Sequence, residues 1–230
     1  MEDSLKSLAG IEILSELGEL DRSMAEQSCS WRWYDAGEQI ISDQDESTDV
    51  FFVISGKVRV VSYSMSGREV SFEDIPAGSF FGELAAIDNQ PRSAGIEALE
   101  QSFLASMPPT LFLQLVTRNP GPAGAMLQRL AHVVRTSTGR IMDLSTLGAK
   151  NRVYGELLRL ASQDRRDDNT AVIHPIPIHA DIASRVSTTR ETVARTLTEL
   201  SKKEIVKREK DSLLLLDFDR LDEMVREFAD

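Results

Sequence analysis

Cysteine is almost absent from this sequence: Cys29 stands alone in 230 residues. A disulfide within the chain needs two cysteines. A thiolate zinc site or a cysteine-ligated iron–sulfur cluster needs several. Histidine is nearly as scarce. His132, His174 and His179 form no i, i+4 pair and have no cysteine beside them, and residues 31–107 contain neither residue type. No metal, haem or iron–sulfur cluster is therefore expected, and Cys29 reads as a small buried hydrophobe. No apolar run approaches the ~20 residues of a membrane-crossing helix. The start, Met1-Glu2-Asp3-Ser4-Leu5-Lys6, is acidic and has no signal-peptide core. The expectation is a cytoplasmic protein without a membrane partner. The adjacent carboxylates Glu73 and Asp74 have no nucleophile or base beside them. On a strand they point to opposite faces, so no catalytic site is expected.

What is present is a globular composition, 41% hydrophobic and 27% charged. The net charge of −11 is unevenly spread. Residues 1–118 hold 8 Lys+Arg against 20 Asp+Glu, whereas residues 119–230 hold 18 against 17. The acidity lies in the first half and leaves a local basic surface open in the second.

Leucines and isoleucines at spacing three from Leu5 to Leu20 predict short helices over 3–28. From Trp31 to Met107, glycines at 37, 56, 67, 78 and 82 punctuate short β-branched and aromatic runs, which predicts an all-β sandwich or barrel. Pro108-Pro109 closes it, with Thr110 as cap of a short helix through Val116. Asn119-Pro120-Gly121-Pro122 then breaks the chain. The proline-free stretch from Ala123 to about Ala149 carries an apolar stripe of Met126, Leu130, Val133, Val134, Ile141, Leu144 and Leu147. It reads as a connector, a dimerisation helix, or both. Gly148-Ala149-Lys150 is a hinge candidate. A helix over 151–162 is followed by a polar loop over 163–169 and a strand. Two short helices come next, Ala180 to Val186 and Thr189 to Lys202, broken at Ser187-Thr188. A hairpin over Ile205 to Lys207 and Ser212 to Leu216 ends the pattern.

Two constellations carry chemistry. In Gly78-Ser79-Phe80-Phe81-Gly82-Glu83-Leu84-Ala85, followed by Arg92-Ser93-Ala94, Gly82 permits close backbone approach and bare amides can cradle an anion. Arg92 suits a phosphate, Glu83 a sugar hydroxyl, and Ser93 adds a hydroxyl. Taken alone, the same residues also describe a glycine-rich turn with a surface Glu and Arg. The second constellation runs from His179 to Leu197 and has helix-turn-helix proportions. Ile182, Ala183 and Val186 would pack on Val193 and Leu197. Arg190, Glu191 and Arg195 stand near the start of the second helix, where side chains meet base edges. A solvated Arg/Glu face is the other reading of that pattern.

The Gly-Glu-Leu-Ala run with its Arg-Ser-Ala ten residues on resembles the phosphate-binding cassette of the cyclic-AMP receptor protein (CRP/FNR) family of bacterial transcription regulators. Arg190-Glu191-Thr192-Val193-Ala194-Arg195 resembles that family's recognition helix. The resemblance covers nearly the whole chain. It implies an α+β protein with a cyclic-nucleotide-binding β-roll over 1–118, a dimerisation helix over 119–147 and a winged helix-turn-helix over 148–230. Cyclic AMP, or cyclic GMP, would be the allosteric effector. The amides of Gly82, Leu84 and Ala85 would line the ribose–phosphate, Glu83 would take the ribose 2′-hydroxyl, and Arg92 with Ser93 the cyclic phosphate. Ser137 and Thr138 stand where the family's Thr-Ser pair meets the base, in inverted order. Arg190, Glu191 and Arg195 would read bases of a TGTGA-type pseudo-palindrome in double-stranded DNA. Thr189, Thr192 and Lys210 would meet its backbone, and Lys202, Lys203, Lys207 and Arg208 are further candidates. Ser187 stands where the family often has glycine, which puts a left-handed serine in the turn. A homodimer acting with RNA polymerase is the implied assembly. The alternatives are a regulator of this type answering another signal, or active without ligand; a cyclic-nucleotide hydrolase is the remote third.

Overall fold

The structure is a computed structural model that describes residues 6–226, so Leu5 of the first apolar series lies outside the described residues. The chain divides into two compact units, one up to residue 134 and one from residue 135. The first begins with a 3-10 turn over Glu12–Leu14 and helix α1, Glu19–Gln27. Leu8, Ile11, Leu14 and Leu17 are buried. Leu20 is 83% exposed, so the spacing-three series breaks where α1 starts.

Eight strands follow: β1 Ser30–Tyr34, β2 Gln39–Ile41, β3 Val50–Ser55, β4 Lys57–Tyr63, β5 Glu69–Pro76, β6 Phe80–Phe81, β7 Gly95–Ala98 and β8 Ser102–Met107. They pair antiparallel in two four-stranded sheets, ordered β1-β8-β3-β6 and β2-β7-β4-β5. The period of two sorts β3 between two cores. Val53 joins Tyr34, Ile41, Val58, Ile75, Phe81, Ile96 and Leu104 in one cluster, and Phe51 packs on it. Val50 and Phe52 face the other cluster, built from the N-terminal residues, helix α3 (Pro109–Arg118) and the start of helix α4 (Pro120–Thr146). There Phe52, Phe80 and Phe112 meet with ring centroids 6.1–6.5 Å apart. Cys29 packs against this second core. Burial, followed by the nearby Glu26 carboxylate, pushes its thiol up to about 12.

Three expectations for the connecting segments change. Thr110 does not cap α3: Pro108 is the cap residue and Pro109 occupies the first turn, where a missing N–H costs nothing. The Asn-Pro-Gly-Pro break shrinks to Asn119, whose backbone is extended, because Pro120 to Pro122 form the opening turn of α4. The hinge candidate also narrows, since helix α5, Ala149–Ala161, starts right after Gly148.

In the second unit, α5 packs with helices α6 (His179–Arg185), α7 (Arg190–Lys202) and α8 (Phe218–Arg226) and with a three-stranded sheet. The sheet is ordered β10-β11-β9, from Val206–Arg208, Leu213–Leu215 and Ala171–Ile173. Tyr154, Leu157, Ile182, Val193, Leu200, Leu215 and Leu221 are the large side chains fully buried in the core between the helices and this sheet. Helix α8 was not among the sequence-based expectations. Its polar residues hid Leu221 and Met224, which are buried in the core, with Phe218 and Val225 packed against it.

Ser187 sits at φ +52, as the departure from glycine implied. A left-handed L-residue costs about 1–2 kcal/mol, part of which glycine returns through its freer unfolded chain. Ser187→Gly is expected to stabilise the second unit by about 0.5–1 kcal/mol, a rise of roughly 2–6 °C in its thermal midpoint. Calorimetric unfolding checks this; an unchanged or lower midpoint contradicts it.

Candidate functional site

The cassette is built at the end of β6. Gly82 adopts φ +86 and caps helix α2, Glu83–Asp88, with no side-chain cap bond. A Cβ at Gly82 would stand 2.6 Å from Arg92 Nη1 and 2.9 Å from the Asp49 carbonyl oxygen. Both the backbone angle and the packed guanidinium therefore demand glycine.

Arg92 is 3% exposed. Its Nη1 donates to the Gly82 carbonyl (3.0 Å), Nη2 to the Asp49 carbonyl (2.8 Å) and Nε to Ser47 Oγ (3.1 Å). It also lies over the Phe51 ring, 5.9 Å from the centroid. Burial lowers its proton affinity, and Asp45, Asp49 and Glu83 oppose that shift. Five N–H groups and three bonds leave one N–H on each terminal nitrogen, the number that a bidentate phosphate takes. Glu83 is 5% exposed. Burial raises its carboxyl above the usual range. A bond from its own backbone, Arg129 and Arg92 pull it down, while Glu73 adds to the rise. Two opposite charges are thus held out of water beside a glycine-kinked backbone. That arrangement fits an ester-linked phosphate beside a sugar hydroxyl. Ala85 is buried, whereas Leu84 and Ser93 are exposed.

Ser137 and Thr138 are exposed on α4, in the second unit. In the same unit, α6 and α7 enclose the turn over 186–189. Ile182, Ala183, Val186 and Val193 are buried together, with Leu197 against them. Thr189 caps α7: its Oγ1 accepts from the Thr192 amide (3.2 Å) and lies 3.0 Å from the Thr192 hydroxyl. Arg190, Glu191 and Arg195 are exposed on α7. Arg195 Nε reaches the Glu191 carbonyl at 3.4 Å, and the side chains pair at 4.0 Å. That contact is loose and solvent-screened, so both side chains stay available to another surface. Lys210 is at the tip of the β10–β11 hairpin, whose turn is closed by Glu209 N donating to Ser212 O at 2.9 Å. Lys207 and Arg208 are exposed on its strand; Lys203 is engaged with Glu199 at 3.0 Å.

Two family models match this chain: a cyclic nucleotide-binding domain over residues 31–119 and a Crp-like helix-turn-helix domain over 151–224. The cyclic AMP receptor protein of Thermus thermophilus is 31% identical over 76% of this chain and 79% of its own length. The chain belongs to the CRP/FNR family. A CRP-like cAMP-activated global transcriptional regulator of Mycobacterium tuberculosis is 26% identical over 80% of this chain and 83% of that protein. Among solved structures, a CooA mutant from Carboxydothermus hydrogenoformans superposes with TM-score 0.78 at 22% identity, covering 93% of this chain and 94% of the other. As a CRP/FNR regulator, the protein binds DNA through its helix-turn-helix and carries a cyclic-nucleotide-binding domain.

Several residues that build this CRP/FNR site were not legible in the sequence. Ser47 and Asp49 seat Arg92 from 43 or more positions away in the chain. Glu73 and Asp74 do point apart, and each meets its own arginine: Glu73 meets Arg129, and Asp74 meets Arg59 at 2.7 Å. Arg152 ties the start of α5 to the recognition turn. Its Nε donates to the Val186 carbonyl (2.8 Å), Nη2 to the Ser187 carbonyl (3.2 Å) and Nη1 to the Leu147 carbonyl (2.7 Å). Arg140 adds a 2.7 Å bond to the Arg185 carbonyl. No motif announces such arginines, because their partners are backbone oxygens.

Arg152→Met keeps the packing of the stem and removes the donor from three carbonyls at once. It is expected to destabilise the second unit by about 2 kcal/mol. Denaturant unfolding followed on that unit measures the loss; wild-type stability would show that the three bonds hold nothing together.

Proposed function

We propose that this protein is a homodimeric regulator whose DNA binding is switched by a cyclic purine mononucleotide, cyclic AMP or cyclic GMP. The observation that carries the reading is the buried Glu83 and Arg92 at the glycine-kinked start of α2. A carboxylate and a guanidinium so placed match a ribose hydroxyl and a cyclic phosphate. The first 118 residues would form the nucleotide domain, residues 119–147 the dimer helix and residues 148–230 the DNA-binding domain. Gly82, Leu84 and Ala85 would offer amides to the ribose–phosphate, and Ser93 its hydroxyl.

Helix α4 supports the dimer. Leu127, Val134 and Ile141 are exposed at seven-residue spacing, and Leu130, Ser137 and Leu144 recur at the same interval. That is the a and d pattern of a two-stranded coiled coil. It sets Ser137 in the seam and Thr138 beside it, where hydroxyls from two subunits would meet a base. A two-fold dimer presents two recognition helices about 34 Å apart and so reads a pseudo-palindrome, here of the TGTGA type. Arg190 and Arg195 would each take a guanine and Glu191 a cytosine. Thr189, Thr192 and Lys210 would hold the backbone, and the bound dimer would act on RNA polymerase.

Arg92→Ala is expected to weaken nucleotide binding roughly 30-fold or more, since the counter-charge of a desolvated anion is lost. Titration calorimetry tests it, and unchanged affinity contradicts the site. Arg195→Ala should leave nucleotide affinity intact and relax one guanine per half-site in selection from random DNA; the wild-type motif returned unchanged contradicts direct readout. The pH dependence has a definite sign. A hydroxyl donated to Glu83 favours its ionised form, so nucleotide lowers a carboxyl that burial has raised. Affinity should fall on acidification through that raised value. The fall should vanish in Glu83→Gln, and a pH-independent wild type contradicts the role.

A further inference from the structure

The second unit holds a cleft that neither sequence motif uses. Its volume is about 760 Å³, the size of a small-molecule site. The start of α5 lines it, together with Tyr154, the end of α7 from Lys203 to Ile205, and residues of α8.

Gly148 caps α5 with no side-chain bond. The first bond of the helix runs from Arg152 N to Gly148 O at 3.1 Å. The amides of Ala149, Lys150 and Asn151 therefore have no acceptor within the helix, and they carry the positive end of its dipole. Any helix start offers that much. Tyr154 sets this one apart. It is 1% exposed, and its buried hydroxyl has no hydrogen-bond partner among the described residues. Burying a hydroxyl unpaired is costly. Side chains on a helix lean toward its N-terminus, so Tyr154 points back along the face it shares with Lys150 and Asn151. Lys150 Nζ lies 5.8 Å from its ring centroid. An ammonium only donates, so it cannot serve the hydroxyl hydrogen, which needs an acceptor. The helix start and the tyrosine lack the same thing.

We propose that this cleft is a second small-molecule site, which binds the phosphate of a small phosphomonoester. The inference is independent of the cyclic-nucleotide reading above. The phosphate oxygens would accept from the first amides of α5 and from the Tyr154 hydroxyl. These donors outnumber the two oxygens of a carboxylate and suit the three terminal oxygens of a monoester. Lys150, Lys203 and Arg220 line the cleft and supply counter-charge. Their partners are surface acids: Glu199 lies 2.6 Å from Lys150 and 3.0 Å from Lys203, and Glu223 lies 3.0 Å from Arg220. Exposed pairs of this kind hold little energy, so the cations can turn to a ligand. Two carboxylates in the cleft suit hydroxyls of the esterified group. One is Glu204. The other is Asp217, whose Oδ1 already accepts from Asn169 Nδ2 and the Arg220 amide and whose second oxygen faces no such demand. A duplex presents its phosphates on a convex rod, which can meet a helix end but not a hydroxyl buried beside it. A small ligand can reach both.

The test follows the amide resonances of Ala149, Lys150 and Asn151 in the full chain by NMR. The chain is titrated with inorganic phosphate and with glycerol phosphate, against chloride at matched ionic strength. Both are expected to shift these amides to saturation, the ester at least as tightly as the free ion. Tyr154→Phe removes the hydroxyl, keeps the ring and should weaken both by about tenfold. The absence of a saturable shift in wild type overturns the proposal and needs no variant. Wild-type affinity in Tyr154→Phe also overturns it and leaves an ordinary helix end. A shift of the same amides by duplex DNA, but by neither phosphate, overturns it by making the start of α5 a contact for the DNA backbone.

Discussion

A guanidinium taken out of water must find acceptors on every side, and the geometry of the nucleotide-binding unit follows from how Arg92 finds them. Its partners come from the loop before β3, from the end of β6 and from Phe51. Phe51 and the end of β6 pair within one sheet, and the loop carrying Ser47 and Asp49 joins β2 of the other sheet to β3. The Gly82 carbonyl reaches Arg92 only because Gly82 turns left-handed, at φ +86. That same turn starts α2 and buries Glu83. One buried cation therefore sets the backbone angle, the helix start and the place of the carboxylate. Burial disfavours the charged form of both groups, so a ligand that satisfies both charges gains what solvent no longer supplies.

The DNA-binding unit solves a different problem with the same residue type. A sharp turn between two helices exposes carbonyl oxygens that neither helix can use. Arg152 and Arg140 donate to those of Arg185, Val186 and Ser187. Arg152 also holds the Leu147 carbonyl, where α4 ends. The recognition turn is thus bonded to the segment that joins α4 to α5. Ser187 keeps its left-handed angle because these bonds over-determine the turn.

Much of this was legible in the sequence because it depends on local rules. Glycine and β-branched spacing exposed the strands, and the Gly-Glu-Leu-Ala and Arg-Ser-Ala runs pointed to residues that the fold brings together, Arg92 on the Gly82 carbonyl. Ser187-Thr188 marked the middle of the recognition turn, which runs over 186–189. The errors also have local causes. Prolines 120 and 122 read as a break, yet proline is at home in a first helical turn. Leu20 kept the spacing of its neighbours but left the core when α1 began. Ser47, Asp49, Glu73 and Arg152 were illegible for a deeper reason. Their partners lie far along the chain or are backbone atoms, and only the folded register brings them together.

The proposed nucleotide clamp and the proposed DNA-reading helix lie on one chain, and in a regulator of the proposed kind they are joined by energy. Linkage requires that whatever nucleotide does for operator affinity, operator does for nucleotide affinity by the same factor. The direct measurement is the nucleotide dissociation constant with and without a saturating pseudo-palindromic duplex, beside the duplex constant with and without nucleotide. Equal enhancement in both, on the order of 5- to 150-fold, is the predicted result. Nucleotide affinity that is the same with and without operator would contradict the coupling, even if both ligands bind.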